Sequence, residues 1–429
     1  MGHTFVEKVL ARKAGLDSVV PGQIVTVRPD KLLTHDNTAA ISKKFRQIGV
    51  DKVADPNINV IVLDHVTPAA NETYATNHQI IREFVAEQGI SAFYDVGEGI
   101  CHQVLPEKGH AWPGAVIVGS DSHTPTHGAF GAFSAGIGRT EAAAVMATGQ
   151  IWLRVPESLR IVIRGKLPAR VSAKDVILHI IGDLRADGAD YRAVEFTGET
   201  VRGMSVASRM VLTNMAAEMG AKNAVVEPDD KTRTWLNSHP PRLQGGPRGG
   251  RVESGYEEIH ADPDAIYERV IEYDVSDLVP KVARPHTVDN VVPVTEVAGT
   301  PINQALIGTC TNGRLEDLEA AAEVLRGQHV ASNVRLLVLP ASREVLLAAI
   351  ERGVIGGLVA AGATLLNPGC GPCLGAHEGC MAPGEVTIST ANRNFKGRMG
   401  SKEAFIYLAS PATVAASALS GVITDPREV

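Results

Sequence analysis

Residues 115–124, AVIVGSDSHT, combine a short apolar run with a cluster of polar and reactive side chains. The apolar run, residues 115–118, is built from small and β-branched residues and is bounded by Gly119. Such a run is typical of a strand that is buried on both faces of a parallel sheet. Because open parallel sheets bind ligands beyond the carboxyl ends of their strands, the residues after Gly119 predict a functional site in an α/β fold.

The same arrangement, an apolar run followed by reactive residues, occurs at four further places. These are VIVL before DH (60–65), ALIG before TCTN (305–312), ATLL before NPGCGPC (363–373) and VTIST before ANRNFKGR (386–398). Any one of them alone is compatible with a solvated loop. Five strand ends that carry Asp, His, Cys or Arg are better explained by sites at the carboxyl edges of parallel sheets.

Helical segments alternate with these strands, which predicts parallel sheets covered by helices on both faces. Thr4 and Glu7 form a capping-box pattern that predicts a first helix, which Gly15 ends. Further helices are predicted at about 71–88, 139–150, 172–187, 203–219, 314–326 and 342–352, and further strands at 59–63, 159–164, 304–307, 334–339, 363–366 and 386–389. Boundaries near Val155-Pro156 and in the polar stretch 279–290 divide the chain into three α/β/α domains, 1–155, 156–284 and 285–429.

Composition excludes several classes of protein. Of the 429 residues 44% are hydrophobic, which excludes a mainly disordered chain. The net charge of −7 disfavours a nucleic-acid partner, since such proteins usually carry excess Lys and Arg. We find no signal peptide or membrane span, and therefore expect a cytoplasmic protein.

Two segments have an unusual local composition. Residues 237–255 have little apolar content and predict a solvated surface loop. The glycine-rich stretch 128–138 predicts close packing beneath the site.

The chain has five cysteines, a small and odd number that does not indicate a disulfide framework. Cys370-x-x-Cys373 admits three interpretations. A thioredoxin-type redox pair fits the surrounding Gly-Pro loop poorly, and a structural zinc site needs further ligands such as Cys380 or His377. An iron–sulfur cluster would recruit Cys310 from another strand end and leave one iron without a protein ligand. The strand-end position of Cys310 and the nearby anion-binding residues favour the cluster.

Four of the motifs, GSDSHT (119–124), TCTNGR (309–314), NPGCGPC (367–373) and NRNFKGR (392–398), together closely resemble the aconitase superfamily. The resemblance covers essentially the whole chain and is strongest to the large subunit of two-chain 3-isopropylmalate dehydratases and homoaconitases. It implies three mainly parallel α/β/α domains around one [4Fe-4S] cluster per chain, with one iron not ligated by protein. The ligands implied are Cys310, Cys370 and Cys373. Cys101 and Cys380 match no ligand position, and we expect them to be ordinary buried thiols.

The resemblance also implies roles for other residues. Asp64 and His65 match the pair that protonates the leaving hydroxyl, and a carboxylate beside an imidazole favours its charged form. The second and third active-site histidines are His102, paired with Asp121, and His123, paired with Glu195. The residues expected to contact substrate are His35, Ser122, Asn392, Arg393 and Arg398; an arginine fork fits a carboxylate.

The implied activity is that of a hydro-lyase that moves a hydroxyl between adjacent carbons of a small anionic 2-hydroxy di- or tricarboxylic acid. We expect 3-isopropylmalate, a leucine-pathway substrate; the alternatives are homocitrate, 2-methylmalate or dimethylmalate, and citrate. Outside this class, a non-catalytic RNA-binding regulator is disfavoured by the three cysteines and the paired histidines.

Single-chain aconitases continue into a swivelling domain that supplies a serine base, whereas this sequence stops at Val429. We therefore expect a small swivel-domain subunit to supply the serine and the substrate specificity.

Overall fold

The computed structural model describes residues 2–239 and 256–429. Its helices are α1 Phe5–Ala14, α2 Thr38–Ile48, α3 Glu72–Gln88, α4 Cys101–Glu107, α5 Arg139–Thr148, α6 Ala173–Leu184, α7 Glu199–Gly203, α8 Val206–Met215, α9 Asp230–Ser238, α10 Thr309–Asn312, α11 Leu315–Leu325, α12 Arg343–Glu351, α13 Val354–Ala360 and α14 Pro411–Ser420. The loop predicted over 237–255 lies almost entirely outside the described residues.

The strands are β1 Ile24–Val27, β2 Lys31–Thr34, β3 Asn59–Val62, β4 Phe93–Tyr94, β5 Val116–Gly119, β6 Phe133–Gly136, β7 Ile151–Arg154, β8 Ser158–Arg164, β9 Ala193–Thr197, β10 Asn223–Val226, β11 Arg269–Asp274, β12 Lys281–Ala283, β13 Val291–Pro293, β14 Gln304–Gly308, β15 Arg335–Leu339, β16 Thr364–Leu365, β17 Val386–Ser389 and β18 Phe405–Leu408. Every strand and helix that the sequence predicts is present, with ends shifted by a few residues.

Three sheets organise the described chain. The first has the order β4-β3-β2-β5-β6 and the second the order β10-β9-β8-β11, and both are parallel throughout. The third, β13-β12-β18-β17-β14-β15-β16, is antiparallel only where β12 meets β13 and β18. Strands β1 and β7 form a separate antiparallel ribbon. The α/β class with mainly parallel sheets is confirmed, whereas the exact domain boundaries stay a prediction.

Local sequence explains where the elements begin and how tightly they pack. The capping box predicted for α1 is formed, because Glu7 Oε2 accepts from the Thr4 amide at 2.8 Å and from the Thr4 hydroxyl at 2.7 Å. The central strands β3, β5 and β14 are buried along their whole length, as strands covered on both faces must be. A side chain at Gly128 would collide with the Ala224 carbonyl, so this glycine permits the predicted close packing.

The carboxyl ends of the first and third sheets face each other. The backbone amide of Cys370, beyond β16, donates to the carbonyl of Asp64, beyond β3, at 2.7 Å. The second sheet joins them through α8, whose Asn214 side chain lies 3.4 Å from the Cys310 sulfur. Within the described ranges, no helix has both the length and the apolar character needed to cross a membrane.

Candidate active site

The Asp64-His65 pair follows β3 and is held in a largely buried position. His65 Nδ1 donates to Asp64 Oδ1 at 2.6 Å, and His65 Nε2 lies 3.4 Å from Asp121 Oδ2. Burial alone lowers the pKa of His65, but the charge of Asp64 and the hydrogen bonds to Asp121 and Asp64 outweigh it and hold the pKa well above its ordinary value. His65 is therefore a partly buried imidazole whose charged form is favoured and whose Nδ1 is fixed by Asp64.

Asp36 orders the turn that carries this pair, and the sequence analysis did not single it out. Asp36 Oδ2 accepts from the backbone amides of Asp64 and His65, at 2.9 and 2.8 Å. His78 Nε2 donates to Asp36 Oδ1 at 2.9 Å. Burial raises the pKa of Asp36, but the His78 hydrogen bond and the charge of His65 hold it well below the ordinary value. The available signal was its place after β2, equivalent to that of Asp64 after β3.

His35 lies in the same site and stacks on His65. The two ring centroids are 3.7 Å apart and the ring planes differ by 18°. Burial and the neighbouring charge of His65 lower the pKa of His35 to about 4, so this ring is neutral. Its buried Nδ1 has no hydrogen-bond partner, which leaves that atom available to a ligand.

Asp121 is shared by three histidines. His102 Nε2 lies 2.8 Å from Asp121 Oδ1, as the sequence led us to expect, and the backbone amide of His123 donates to the same oxygen at 2.8 Å. His65 approaches the other oxygen. Burial raises the pKa of Asp121, but the charge of His102 and the histidine hydrogen bonds hold it well below the ordinary value.

The expected pairing of His123 with Glu195 is wrong. His123 Nε2 lies 2.6 Å from Glu218 Oε1. Glu195 instead accepts from the Tyr267 hydroxyl at 2.7 Å and from the Phe5 amide at 2.9 Å. The physical reason is position, because Glu195 lies within β9, whereas Glu218 follows α8 in a short 3₁₀ turn. No motif in the sequence around Glu218 indicated this role.

Glu218 also connects the third histidine to the arginine motif. Arg393 Nε donates to Glu218 Oε1 at 2.8 Å, so only the two terminal nitrogens of Arg393 remain for a ligand. Burial raises the pKa of Glu218, but the hydrogen bond with His123 outweighs burial, so the pKa of Glu218 lies below its ordinary value. Burial likewise lowers the pKa of His123, and the hydrogen bonds to Asp121 and Glu218 raise it above the ordinary value.

Three thiols lie beside these groups, and N–H groups of neighbouring side chains are directed at two of them. The Cys310 sulfur accepts from the side-chain amides of Asn214 at 3.4 Å and Asn392 at 3.3 Å. Arg398 Nη2 lies 3.6 Å from the Cys373 sulfur. The Cys370 thiol hydrogen-bonds to Cys373 and, together with Arg398, holds the pKa of Cys373 well below the ordinary thiol value. Sulfur beside a guanidinium, as in Cys373, is suited to the thiolate state, whereas burial raises the pKa of the Cys310 thiol to about 12.

The other two cysteines are placed differently from each other. Cys101 is buried, as expected, and its backbone amide donates to Asp64 Oδ2 at 2.7 Å. The expectation that Cys380 is buried is wrong, because it is exposed and its thiol donates to the backbone carbonyls of Gly375 and His377. His377 Nε2 donates to the His65 carbonyl at 3.1 Å. Neither candidate for a zinc site is therefore directed at the Cys370–Cys373 pair.

Ser122 is the predicted site residue with the greatest exposure. Its side chain is exposed and lines a cleft of about 520 Å³ together with Ser120, Arg139 and Tyr191. A cleft of about 970 Å³ against α11 and α13 contains none of the predicted site residues. The structure therefore brings together the predicted site residues other than Glu195 and Ser122 in one region. Ser122 is adjacent to Asp121 in the chain, but no other predicted site residue lines its cleft.

Comparison with known proteins identifies the family. The model of the aconitase family (aconitate hydratase) matches residues 7–421. This chain belongs to the aconitase family. A probable 3-isopropylmalate dehydratase large subunit from Methanothermobacter thermautotrophicus is 56% identical over 427 residues, which is 99% of each chain. The 3-isopropylmalate dehydratase large subunit 1 of Methanopyrus kandleri is 54% identical over 100% of this chain and 99% of its own length. A probable methanogen homoaconitase large subunit from Methanosarcina mazei is 53% identical over 93% of this chain and 99% of its own length.

Membership of the aconitase family confirms the predicted class of enzyme, a hydro-lyase, and implies an iron–sulfur cluster. The donor set fits such a group. Thiols are the usual protein ligands of iron–sulfur clusters, and hydrogen bonds to the sulfurs tune them. Here three thiols share one region, and Asn214, Asn392 and Arg398 direct N–H groups at two of them.

Proposed function

We propose that this aconitase-family chain is the large subunit of a two-chain hydro-lyase that isomerises 3-isopropylmalate through dehydration and rehydration. The observation that carries the proposal is the position of the hydrogen-bonded Asp64-His65 pair, which shares one region with three thiols and two arginines. The names of the relatives at 56% and 54% identity support the substrate.

Cys310, Cys370 and Cys373 would hold a [4Fe-4S] cluster. When bound, this group supplies a Lewis-acid iron that weakens the bond to the departing hydroxyl. The protein side of the reaction belongs to the residues around it. Asn214 and Asn392 fix the Cys310 sulfur, and Arg398 places positive charge beside Cys373.

His65 would act as the general acid. Its Nδ1 is fixed by Asp64 at 2.6 Å, whereas Nε2 lies 3.4 Å from Asp121, too far for a strong hydrogen bond. The Nε2 proton is therefore available to a substrate hydroxyl. A positioned acid of this kind contributes about 10²–10⁴-fold to a rate. His35, stacked on the ring, restricts its orientation.

The remaining groups would bind and orient the substrate. Arg393 keeps two terminal N–H donors beyond its contact with Glu218, and they suit a carboxylate. Arg398, whose buried Nε has no partner, adds a second cation. His102 and His123, aligned by Asp121 and Glu218, would orient water and the other carboxylate. Asn392, Ser122 and His35 complete the proposed contacts.

A dehydratase also needs a base within hydrogen-bond reach of the carbon-bound proton. His65, His102 and His123 are engaged with carboxylates, and we assign them to the hydroxyl side. We propose that a small swivel-domain subunit supplies a serine base and the pocket for the substrate's side chain. The words "large subunit" in the names of the relatives support such a partner.

Homocitrate is the second candidate substrate, because large subunits named for homoaconitase are 53% and 50% identical to this chain.

The test is a kinetic assay of the anaerobic, cluster-reconstituted chain with and without the small protein that co-purifies with it. 3-Isopropylmalate, homocitrate, 2-methylmalate, dimethylmalate and citrate are compared. We expect turnover of 3-isopropylmalate only with the partner present. Substantial turnover by this chain alone would contradict the two-subunit proposal, and a preference for homocitrate would replace the substrate.

A further inference from the structure

Lys174, in the first turn of α6, has no exposed surface and reaches from the second sheet's helices to the third sheet. Its ammonium donates to the carbonyl oxygen of Thr390 at 2.7 Å and to that of Ala391 at 2.6 Å. These two carbonyls immediately precede Asn392 and Arg393. The lysine therefore holds the backbone that leads into the arginine motif of the site.

No carboxylate forms an ion pair with Lys174 anywhere in residues 2–239 and 256–429. Arg209, a basic side chain that is equally buried, pairs with both oxygens of Asp229 at 2.8 and 2.5 Å. An isolated buried cation is costly unless opposite charge compensates it. Two carbonyl dipoles offset only part of that cost, so an anionic group is expected nearby.

The nearby groups able to carry that charge are the thiols Cys310 and Cys373 and the carboxyl groups of Asp317 and Asp175. Asn392, one residue beyond the second carbonyl, donates to the Cys310 sulfur at 3.3 Å and lies 3.7 Å from the Cys373 sulfur. Burial lowers the pKa of Lys174 to about 7, and Cys310 and Cys373 are the largest influences in the opposite direction. The contacts of Asn392 and the effect of the thiols on the pKa of Lys174 therefore both connect this lysine to Cys310 and Cys373.

We infer that Lys174 is a positioning residue that serves as the buried counter-cation of the thiolate centre. It fixes the backbone beneath Asn392, and its charge favours the more negative of two oxidation states of a cluster bound there. The inference rests on the cluster of the proposed function. Removal of the charge lowers the reduction potential, and a cluster that is more easily oxidised is expected to lose iron faster in air.

The test compares variants that separate charge from hydrogen bonding. Lys174→Gln keeps an N–H donor without the charge, Lys174→Met removes both, and Lys174→Arg keeps the charge. Lys31→Gln is the matched control, because the Lys31 ammonium also donates to a backbone carbonyl, that of Asn57 at 2.8 Å, but at the amino end of β2. The readouts are iron content, visible absorbance and the reduction potential from an anaerobic titration.

We expect the two neutral variants at Lys174 to change the relative affinity for the two oxidation states by about tenfold, a shift to more negative potential of about 59 mV for one electron. Lys174→Arg and Lys31→Gln should keep the wild-type potential. An unchanged potential in Lys174→Gln with a full cluster would overturn the inference. So would equal loss of the cluster in the Gln, Met and Arg variants, or unfolding of a neutral variant without iron, since both indicate a packing role. A wild-type chain that binds no cluster would overturn the proposed function instead.

Discussion

The backbone carbonyl of Asp64 accepts a 2.7 Å hydrogen bond from the backbone amide of Cys370. This single contact joins the turn after β3, which carries the proposed acid, to the loop that carries two of the proposed cluster ligands. The distance between acid and thiols is thereby set by the backbone rather than by long side chains. The proposed proton donor and the proposed cluster ligands are held as one unit, as catalysis by orientation requires.

Replacement of Asp64 by Asn should narrow the pH range of activity. The charge of Asp64 raises the pKa of His65 well above its ordinary value, so the acid form is complete below that pKa and is lost as pH rises through it. In Asp64→Asn the alkaline limb of the kcat profile should move to lower pH, with a loss at neutral pH of up to about 10²–10⁴-fold. The exposed Asp95, paired with Arg82, provides the control Asp95→Asn. An unchanged alkaline limb in Asp64→Asn would contradict the acid assignment.

Single changes at the three ligand cysteines should remove the cluster. Cys310→Ala, Cys370→Ala and Cys373→Ala should each lose iron, visible absorbance and activity, because a cluster with three thiolates has none to spare. Cys101→Ala and Cys380→Ala are matched controls and should keep all three. Iron content and absorbance after anaerobic reconstitution provide the measurement. Full cluster content in Cys310→Ala, or loss of iron in Cys380→Ala, would refute the ligand set.

The two glutamates that compete for the role beside His123 can be separated by amide substitution. Glu218→Gln weakens charged hydrogen bonds to His123 and Arg393 and should lower kcat/KM by about 10–100-fold, the equivalent of about 1.5–3 kcal/mol. Glu195→Gln should leave kcat/KM near the wild-type value, because Glu195 contacts Tyr267 and Phe5 rather than the site. Steady-state kinetics on both variants distinguishes the two pairings. A larger loss of kcat/KM in Glu195→Gln than in Glu218→Gln would restore the pairing expected from the sequence.

Exposure to air should inactivate the enzyme reversibly. An iron without a protein thiolate is retained only by cluster sulfide and solvent or substrate ligands, so it is the first to leave on oxidation. We expect activity to fall in air with loss of iron, and to return with ferrous iron and a thiol reductant. The assay follows activity and bound iron together over time. Activity that persists after prolonged aeration with a chelator would exclude an essential open iron.

Much of the fold could be predicted because it is encoded locally. Residues only a few positions apart determine the strands at 59–62 and 116–119 and the start of α1. The same holds for the reactive strand ends, since the carboxyl edge of a parallel sheet collects whatever follows its strands. His65, Asp121 and the three cysteines were found in this way.

Two of the residues that the sequence did not reveal, Glu218 and Lys174, act over long distances without a motif. Glu218 reaches His123 across 95 positions, and Lys174 reaches Thr390 across 216. Such contacts depend on how α6 and α8 pack against the other sheets, which local pattern does not encode. The error at Glu195 has the same origin, because residue type and nearby motifs do not reveal that a mid-strand carboxylate is directed at Tyr267.

The carboxylate of Asp121 connects three separate parts of the site. Its two oxygens lie 3.4, 2.8 and 3.5 Å from ring nitrogens of His65, His102 and His123. These histidines follow β3, lie in α4 and follow β5. Loss of this one carboxylate would leave three rings without their common partner, so a defect at Asp121 is expected to disturb the site as a whole rather than one pair.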